Sequence, residues 1–182
     1  RERVIEALRK KIAARGNHIV TGFVASRVFF EVLSDCGLSS LAWEILHKDD
    51  YPSFGQMVKE GSTTMWEQFD AMHSHDHPMF GGSLVWLYRY LAGIRPDPDH
   101  PAYKHSFIRP FLADGLDSVD YALDTVYGPL RVAWKRSGSR LYMEITIPEG
   151  CTATLEWPVG DKKTELASGT YRLRDRLVIR CA

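Results

Sequence analysis

The chain has 182 residues, 45% hydrophobic and 25% charged, enough for one ordinary core or two small ones. Its 23 basic and 23 acidic side chains cancel, which argues against a nucleic-acid partner or an anionic membrane surface, and no apolar run is long enough for a membrane-crossing helix. Cys36, Cys151 and Cys181 are odd in number and far apart, so neither a disulfide framework nor a zinc knuckle is suggested.

The opening residues, Arg1-Glu2-Arg3-Val4-Ile5-Glu6-Ala7-Leu8, read as mid-helix and carry no signal-peptide pattern, which predicts a chain cut from a larger protein. Val4, Ile5, Leu8 and Ile12 share one helical face, and Gly16-Asn17 is the stop. A second helix is predicted from about Phe23 to Ser34, burying Phe23, Phe30 and Leu33, with Cys36-Gly37 closing it. Ser39 or Ser40 is the expected cap of a third, holding Leu41, Ala42, Ile45 and Leu46. Pro52-Ser53 opens a helical turn through Met57 and Val58. Gly81 to Leu91 reads as the last helix, apolar nearly all round and therefore expected to be buried on several sides.

The pattern changes after Ala92-Gly93. Arg95-Pro96-Asp97-Pro98-Asp99-His100-Pro101 reads as a linker. Beyond it, strands are predicted at residues 105–109, 118–126, 130–135, 140–147, 152–156, 169–173 and 177–180, with a hairpin turn at Ser137-Gly138. The fold class is thus a two-part α+β chain: helices over 1–94, then an antiparallel β-sandwich over 95–182.

Chemistry concentrates in Thr63-Thr64-Met65-Trp66-Glu67-Gln68-Phe69-Asp70 and the histidine-rich run after it. A carboxylate beside an aromatic ring suits a sugar site: the ring meets the apolar face of a pyranose and the acid handles a proton. The plainer alternative is an exposed Glu67 beside a core Trp66. His73-Ser74-His75-Asp76-His77 has spacing that can hold a metal, against a reading as a solvated loop, and the expectation is no metal. Asp49-Asp50 suits a calcium site or, more simply, a cap. Phe54 faces either a sugar cavity or the core. Trp134 and Trp157 are either a carbohydrate platform or inward-facing core residues, and the core is preferred.

Several segments, in order, resemble the late catalytic region of bacterial α-L-rhamnosidases, glycoside hydrolase family 78. They are Thr21-Gly22-Phe23-Val24, Glu31 to Gly37, Tyr51 to Met57, Gly61 to Glu67, Phe80-Gly81 and Trp86 to Ile94. Tyr103-Lys104-His105, Ile108-Arg109-Pro110 and Tyr127 to Trp134 are similar to the start of that family's C-terminal β-domain.

The resemblance implies the closing helices of an (α/α)6 barrel and inverting hydrolysis of terminal α-L-rhamnosyl bonds in an intact enzyme. Glu67 would be the general base, and His77, Trp66 and Phe54 substrate contacts. An inverting pair holds its carboxyl groups about 6.5–9.5 Å apart. The family's acid lies upstream of this chain, and Asp70, three residues from Glu67, would sit beside it on a helical turn rather than across a sugar. Asp76-His77-Pro78 departs from the Asn-His-aromatic pattern of relatives, so the exact sugar and aglycone stay open. No cofactor is implied. Expected partners are a rhamnose-containing oligosaccharide or glycoside and the missing N-terminal part of the enzyme, with self-association through exposed apolar faces. Rival readings are a rhamnosyl-uronic acid lyase and a non-catalytic carbohydrate-binding or structural remnant.

Overall fold

The computed structural model describes residues 1–177, which divide into a helical unit, Arg1–Trp86, and a second unit from Leu87 onward. Cys181 and most of the strand expected over 177–180 lie outside the described residues.

In the helical unit, α1 (Glu2–Ala13) ends where Gly16 and Asn17 adopt positive φ, so the expected stop is a left-handed turn. α2 (Phe23–Asp35) ends in a Schellman motif: the Leu38 amide donates to the Leu33 carbonyl at 2.8 Å and the Gly37 amide to Ser34 at 2.9 Å. That motif displaces the expected serine cap of α3 (Ser39–Leu46). Leu38 is the N-cap, its carbonyl accepting from the Ala42 amide, and Ser39 and Ser40 fall inside the first turn. Ser53 does cap α4 (Phe54–Lys59), its hydroxyl accepting from the Gln56 amide at 3.0 Å.

The last helix of the sequence reading has three helical pitches. Pro78–Gly81 is a 3₁₀ turn, α5 is Gly82–Trp86, and Leu87–Leu91 is a π turn at the start of the second unit. α5 packs on α2 so closely that a Cβ on Gly82 would lie 2.3 Å from the Arg27 carbonyl oxygen. Trp86 is enclosed, with its indole N–H donating to Ser34 Oγ at 2.7 Å, and Leu84 is the one exposed residue of 81–91, the others being half-buried or buried. Along α2, Val24, Val28 and Val32 form a stripe at i, i+4 and i+8 that is 64%, 47% and 45% exposed.

The second unit has two four-stranded sheets. One orders β1 (Ile94–Pro96), β2 (His105–Ile108), β6 (Thr152–Glu156) and β7 (Lys163–Leu166). The other orders β3 (Ser118–Thr125), β4 (Gly128–Ser137), β5 (Arg140–Ile147) and β8 (Gly169–Arg176). Inward residues of both, including Ile108, Leu155, Val132 and Ile145, meet in one core, which makes the pair a sandwich.

Three features differ from expectation. β2 and β6 pair in parallel, so the sandwich is antiparallel-rich rather than wholly antiparallel; a parallel pair needs a long crossover, and β3 to β5 fill it. The supposed linker begins with β1 and continues into a turn closed by an Asp97–His100 bridge; Pro96 is tolerated because β1 is an edge strand. β7 was not foreseen, since Lys-Thr-Glu-Leu has the polar composition of an edge. Trp134 and Trp157 are 2% and 5% exposed, and their indole N–H groups donate to the Leu91 carbonyl and Thr164 Oγ1. They are core residues, and no sugar platform can be made from them.

Candidate functional site

The loop over 62–77 is positioned from its two ends. Phe69 within it and Phe80 just after it form a tilted pair at 4.6 Å between ring centres, and both pack on Phe54 of α4 at 5.8 Å. Gln56, also on α4, donates its side-chain amide to the Phe69 carbonyl at 3.3 Å. Phe54 in turn lies 6.3 Å from Phe30 of α2. This aromatic cluster ties the loop to the helices, so Phe54 is half-buried in packing contacts.

The loop then folds back on itself. The Glu67 amide donates to the Ser74 carbonyl and the His77 amide to the Met65 carbonyl, each at 2.8 Å. Thr64 Oγ1 donates to the His75 carbonyl. The segment carrying Trp66 and Glu67 is thereby laid beside the segment carrying His75 and His77, although both are irregular in backbone form.

Glu67 is half-buried, and its Oε2 accepts from the Ser74 amide at a long 3.4 Å. Its carboxylate therefore has a backbone donor and remains partly open to solvent. Asp70 is not its helical neighbour: the loop has no helix here, and Asp70 Oδ1 instead accepts from the Met72 amide at 3.1 Å. Trp66 is buried, one face stacked on the exposed His75 ring at 4.7 Å and 21°. His77 Nδ1 accepts from the Met79 amide at 3.5 Å, capping the 3₁₀ turn.

The histidines of this run thus have separate contacts. His75 Nε2 donates to the Ala71 carbonyl at 3.2 Å, and no group of three or more His, Cys, Asp or Glu residues with metal-holding geometry occurs among the described residues. Asp49 pairs with Lys59, and Asp50 Oδ1 accepts from His18 Nε2 at 2.9 Å, a hydrogen bond that lowers the Asp50 carboxyl below its ordinary range. Ser74 and His75 belong to the histidine-rich run singled out in the sequence, but their roles, one holding Glu67 and the other covering Trp66, are not legible there. Their importance comes from the fold-back, which spacing alone does not reveal.

Comparison with known proteins identifies the family. Residues 1–91 match the bacterial alpha-L-rhamnosidase 6 hairpin glycosidase domain, and residues 93–172 match the bacterial alpha-L-rhamnosidase C-terminal domain. The chain belongs to the bacterial α-L-rhamnosidase family. It is 29% identical over 175 residues to an alpha-L-rhamnosidase of Formosa agariphila, covering 90% of this chain and 19% of that protein. Among solved structures, alpha-L-rhamnosidase from Dictyoglumus thermophilum superposes with a TM-score of 0.86 at 27% identity, over 93% of this chain and 22% of that one. The Streptomyces avermitilis enzyme, solved in complex with L-rhamnose, superposes with a TM-score of 0.87 at 25% identity, over 94% and 19%. The chain thus spans about a fifth of the length of these relatives.

Proposed function

We propose that this chain is the C-terminal portion of an inverting α-L-rhamnosidase. Helices α1 to α5 would close an (α/α)6 barrel, and residues upstream of this sequence would supply the rest of it, including the general acid. Glu67 takes a proton from water as that water attacks the anomeric carbon, while the upstream acid protonates the leaving oxygen. His77 and Trp66 contact the terminal sugar, and the half-buried Phe54 supports their loop and borders the pocket. The substrate is a rhamnose-containing oligosaccharide or glycoside.

The observation that carries the reading is the fold-back of the 62–77 loop in a family member. It fixes the backbone of Glu67 against Ser74 while leaving the carboxylate half-exposed, with Trp66 immediately beside it. A base must be held yet reach water, and this geometry meets both needs. Glu156 of β6 also adjoins a buried tryptophan, Trp157, but its carboxylate is engaged by Lys163 at 2.7 Å and by Arg109 and Arg95 farther off.

The test uses the chain joined to its upstream sequence. Glu67→Gln should lower kcat on an aryl α-L-rhamnoside by about 10²–10⁴-fold, the span of a general base, with KM changed far less. Retained kcat would remove Glu67 from the reaction. The 182 residues alone should turn over no rhamnoside.

A further inference from the structure

The outer face of the sheet β3-β4-β5-β8 carries a depression of about 420 Å³, within the roughly 300–1,000 Å³ usual for small-molecule clefts. Its floor is Ala133. The strand register sets Ala133 between Asp120 of β3 and Glu144 of β5, and in the next row sets Lys135 between Ser118 and Tyr142. These residues alternate with the buried Val132, Trp134, Met143 and Ile145, so they share the face turned away from the core.

The two carboxylates are fixed in place. Arg131, on the same face of β4, donates through Nε and Nη2 to the two oxygens of Asp120 at 2.8 and 2.6 Å, and through Nη1 to Glu144 Oε1. Arg172 Nε donates to Glu144 Oε2 at 2.9 Å. Asp120 is held below its ordinary pKa by the hydrogen bond from Arg131, and Glu144 by those from Arg172 and then Arg131. A carboxylate has about four acceptor positions, so each retains capacity for a ligand donor after these bonds are made. The guanidinium groups of Arg131 and Arg172 balance the two carboxylates, and Lys135 adds a further positive charge on this face.

A site with a small apolar floor, one exposed aromatic ring and pre-aimed, charge-compensated acceptors matches a neutral ligand with a C–H face and an edge of hydroxyl donors. Directly over Ala133 a ligand lies between Asp120 and Glu144, whose oxygens accept hydroxyl donors and repel anionic oxygens at that position. Lys135 in the next row can donate to a hydroxyl. A purely apolar partner would strip water from the carboxylates and return no donors.

We propose that this depression binds a neutral pyranose unit of a glycan, with Ala133 and Tyr142 against the ring and Asp120, Glu144 and Lys135 at its hydroxyls. It is independent of the 62–77 loop and would hold polysaccharide rather than cleave it.

The experiment follows backbone amide resonances of the full 182-residue chain during titration with methyl α-L-rhamnopyranoside and, separately, methyl β-D-glucopyranoside. At least one sugar should shift the amides of Ala133, Tyr142 and Glu144 with millimolar affinity. Tyr142→Ala, which removes the ring, and Ala133→Leu, which fills the floor, should each weaken binding roughly tenfold. Glu67→Gln should leave it unchanged. The proposal is overturned if neither sugar shifts those amides, or if binding survives both sheet variants. Loss of binding in Glu67→Gln alone would assign the sugar to the loop and likewise overturn the sheet site, while supporting the rhamnosidase reading. Because the amide map locates the ligand in the unsubstituted chain, a poorly folding variant does not shield the proposal.

Discussion

The two units bury their apolar residues differently. In the β-rich unit, alternation is strict along β5, where Leu141, Met143, Ile145 and Ile147 are all buried, and both sheets close over one core. In the helical unit, α2 buries Phe30 and Leu33 on one side yet leaves Val24, Val28 and Val32 in solvent on another. A sandwich satisfies both of its inner faces internally, whereas a layer of helices has two sides and needs cover on each. The contrast indicates that the β-rich unit can carry its own stability, and that the helical unit has a face suited to further helices.

The sharpest way to break that contrast is to truncate a residue in each region. Trp134→Ala should destabilise the β-rich unit by about 3–5 kcal/mol, seen as a large fall in melting temperature. Val28→Ser should stay within about 0.5 kcal/mol. Changing Val24, Val28 and Val32 together to serine should reduce self-association in sedimentation, since the stripe is the exposed apolar surface of α2. Equal penalties for Trp134→Ala and Val28→Ser would show that the stripe is already covered.

A smaller contrast lies in the helix caps. Ser53→Ala removes a hydroxyl that accepts the Gln56 amide and should cost about 1 kcal/mol. Ser39→Ala, at a serine whose side chain makes no cap bond, should change stability by only a few tenths of a kcal/mol, because alanine is the better helix former. Chemical denaturation of the two variants side by side measures the difference.

Acid should separate the units more gently. Asp97, Asp120, Glu144 and Glu156 in the β-rich unit are all lowered, by hydrogen bonds from His100, Arg131, Arg172 and Lys163 as the leading causes. In the helical unit Asp50 is the lowered carboxyl among the described residues. A depressed native pKa adds stability that is complete above the unfolded value, near 4, and is lost as pH falls through the native value. The β-rich unit should therefore lose more protection than the helical unit below about pH 4, as read by hydrogen exchange. The effect is modest because the partners His100, Lys163 and Arg172 are largely solvent-exposed. Arg131→Met should flatten the acid dependence.

Helix and strand positions were largely legible in the sequence because burial here follows period. Gly16-Asn17 and Gly37 mark helix ends by their left-handed backbone, and β5 and β6 fall where alternation and turns place them. β1 and β7 were hidden because edge strands need no apolar alternation, and the parallel β2–β6 pair because partner choice is not a local property. Trp66 and Glu67 stand out by residue type and by family resemblance. How they are supported does not: Ser74 and His75 act through a fold-back of the loop, and Phe54 through a cluster whose members Phe30, Phe69 and Phe80 are scattered along the chain.

The most direct test of the central claim is rescue of a missing base by an external nucleophile. In the chain joined to its upstream sequence, Glu67→Ala should be nearly inactive on an activated α-L-rhamnoside, and added azide should restore turnover with formation of β-L-rhamnosyl azide, because an anion needs no proton removed before attacking the face that Glu67 serves. Azide product of α configuration, or full activity of Glu67→Ala in water alone, would contradict the assignment of Glu67 as the inverting base.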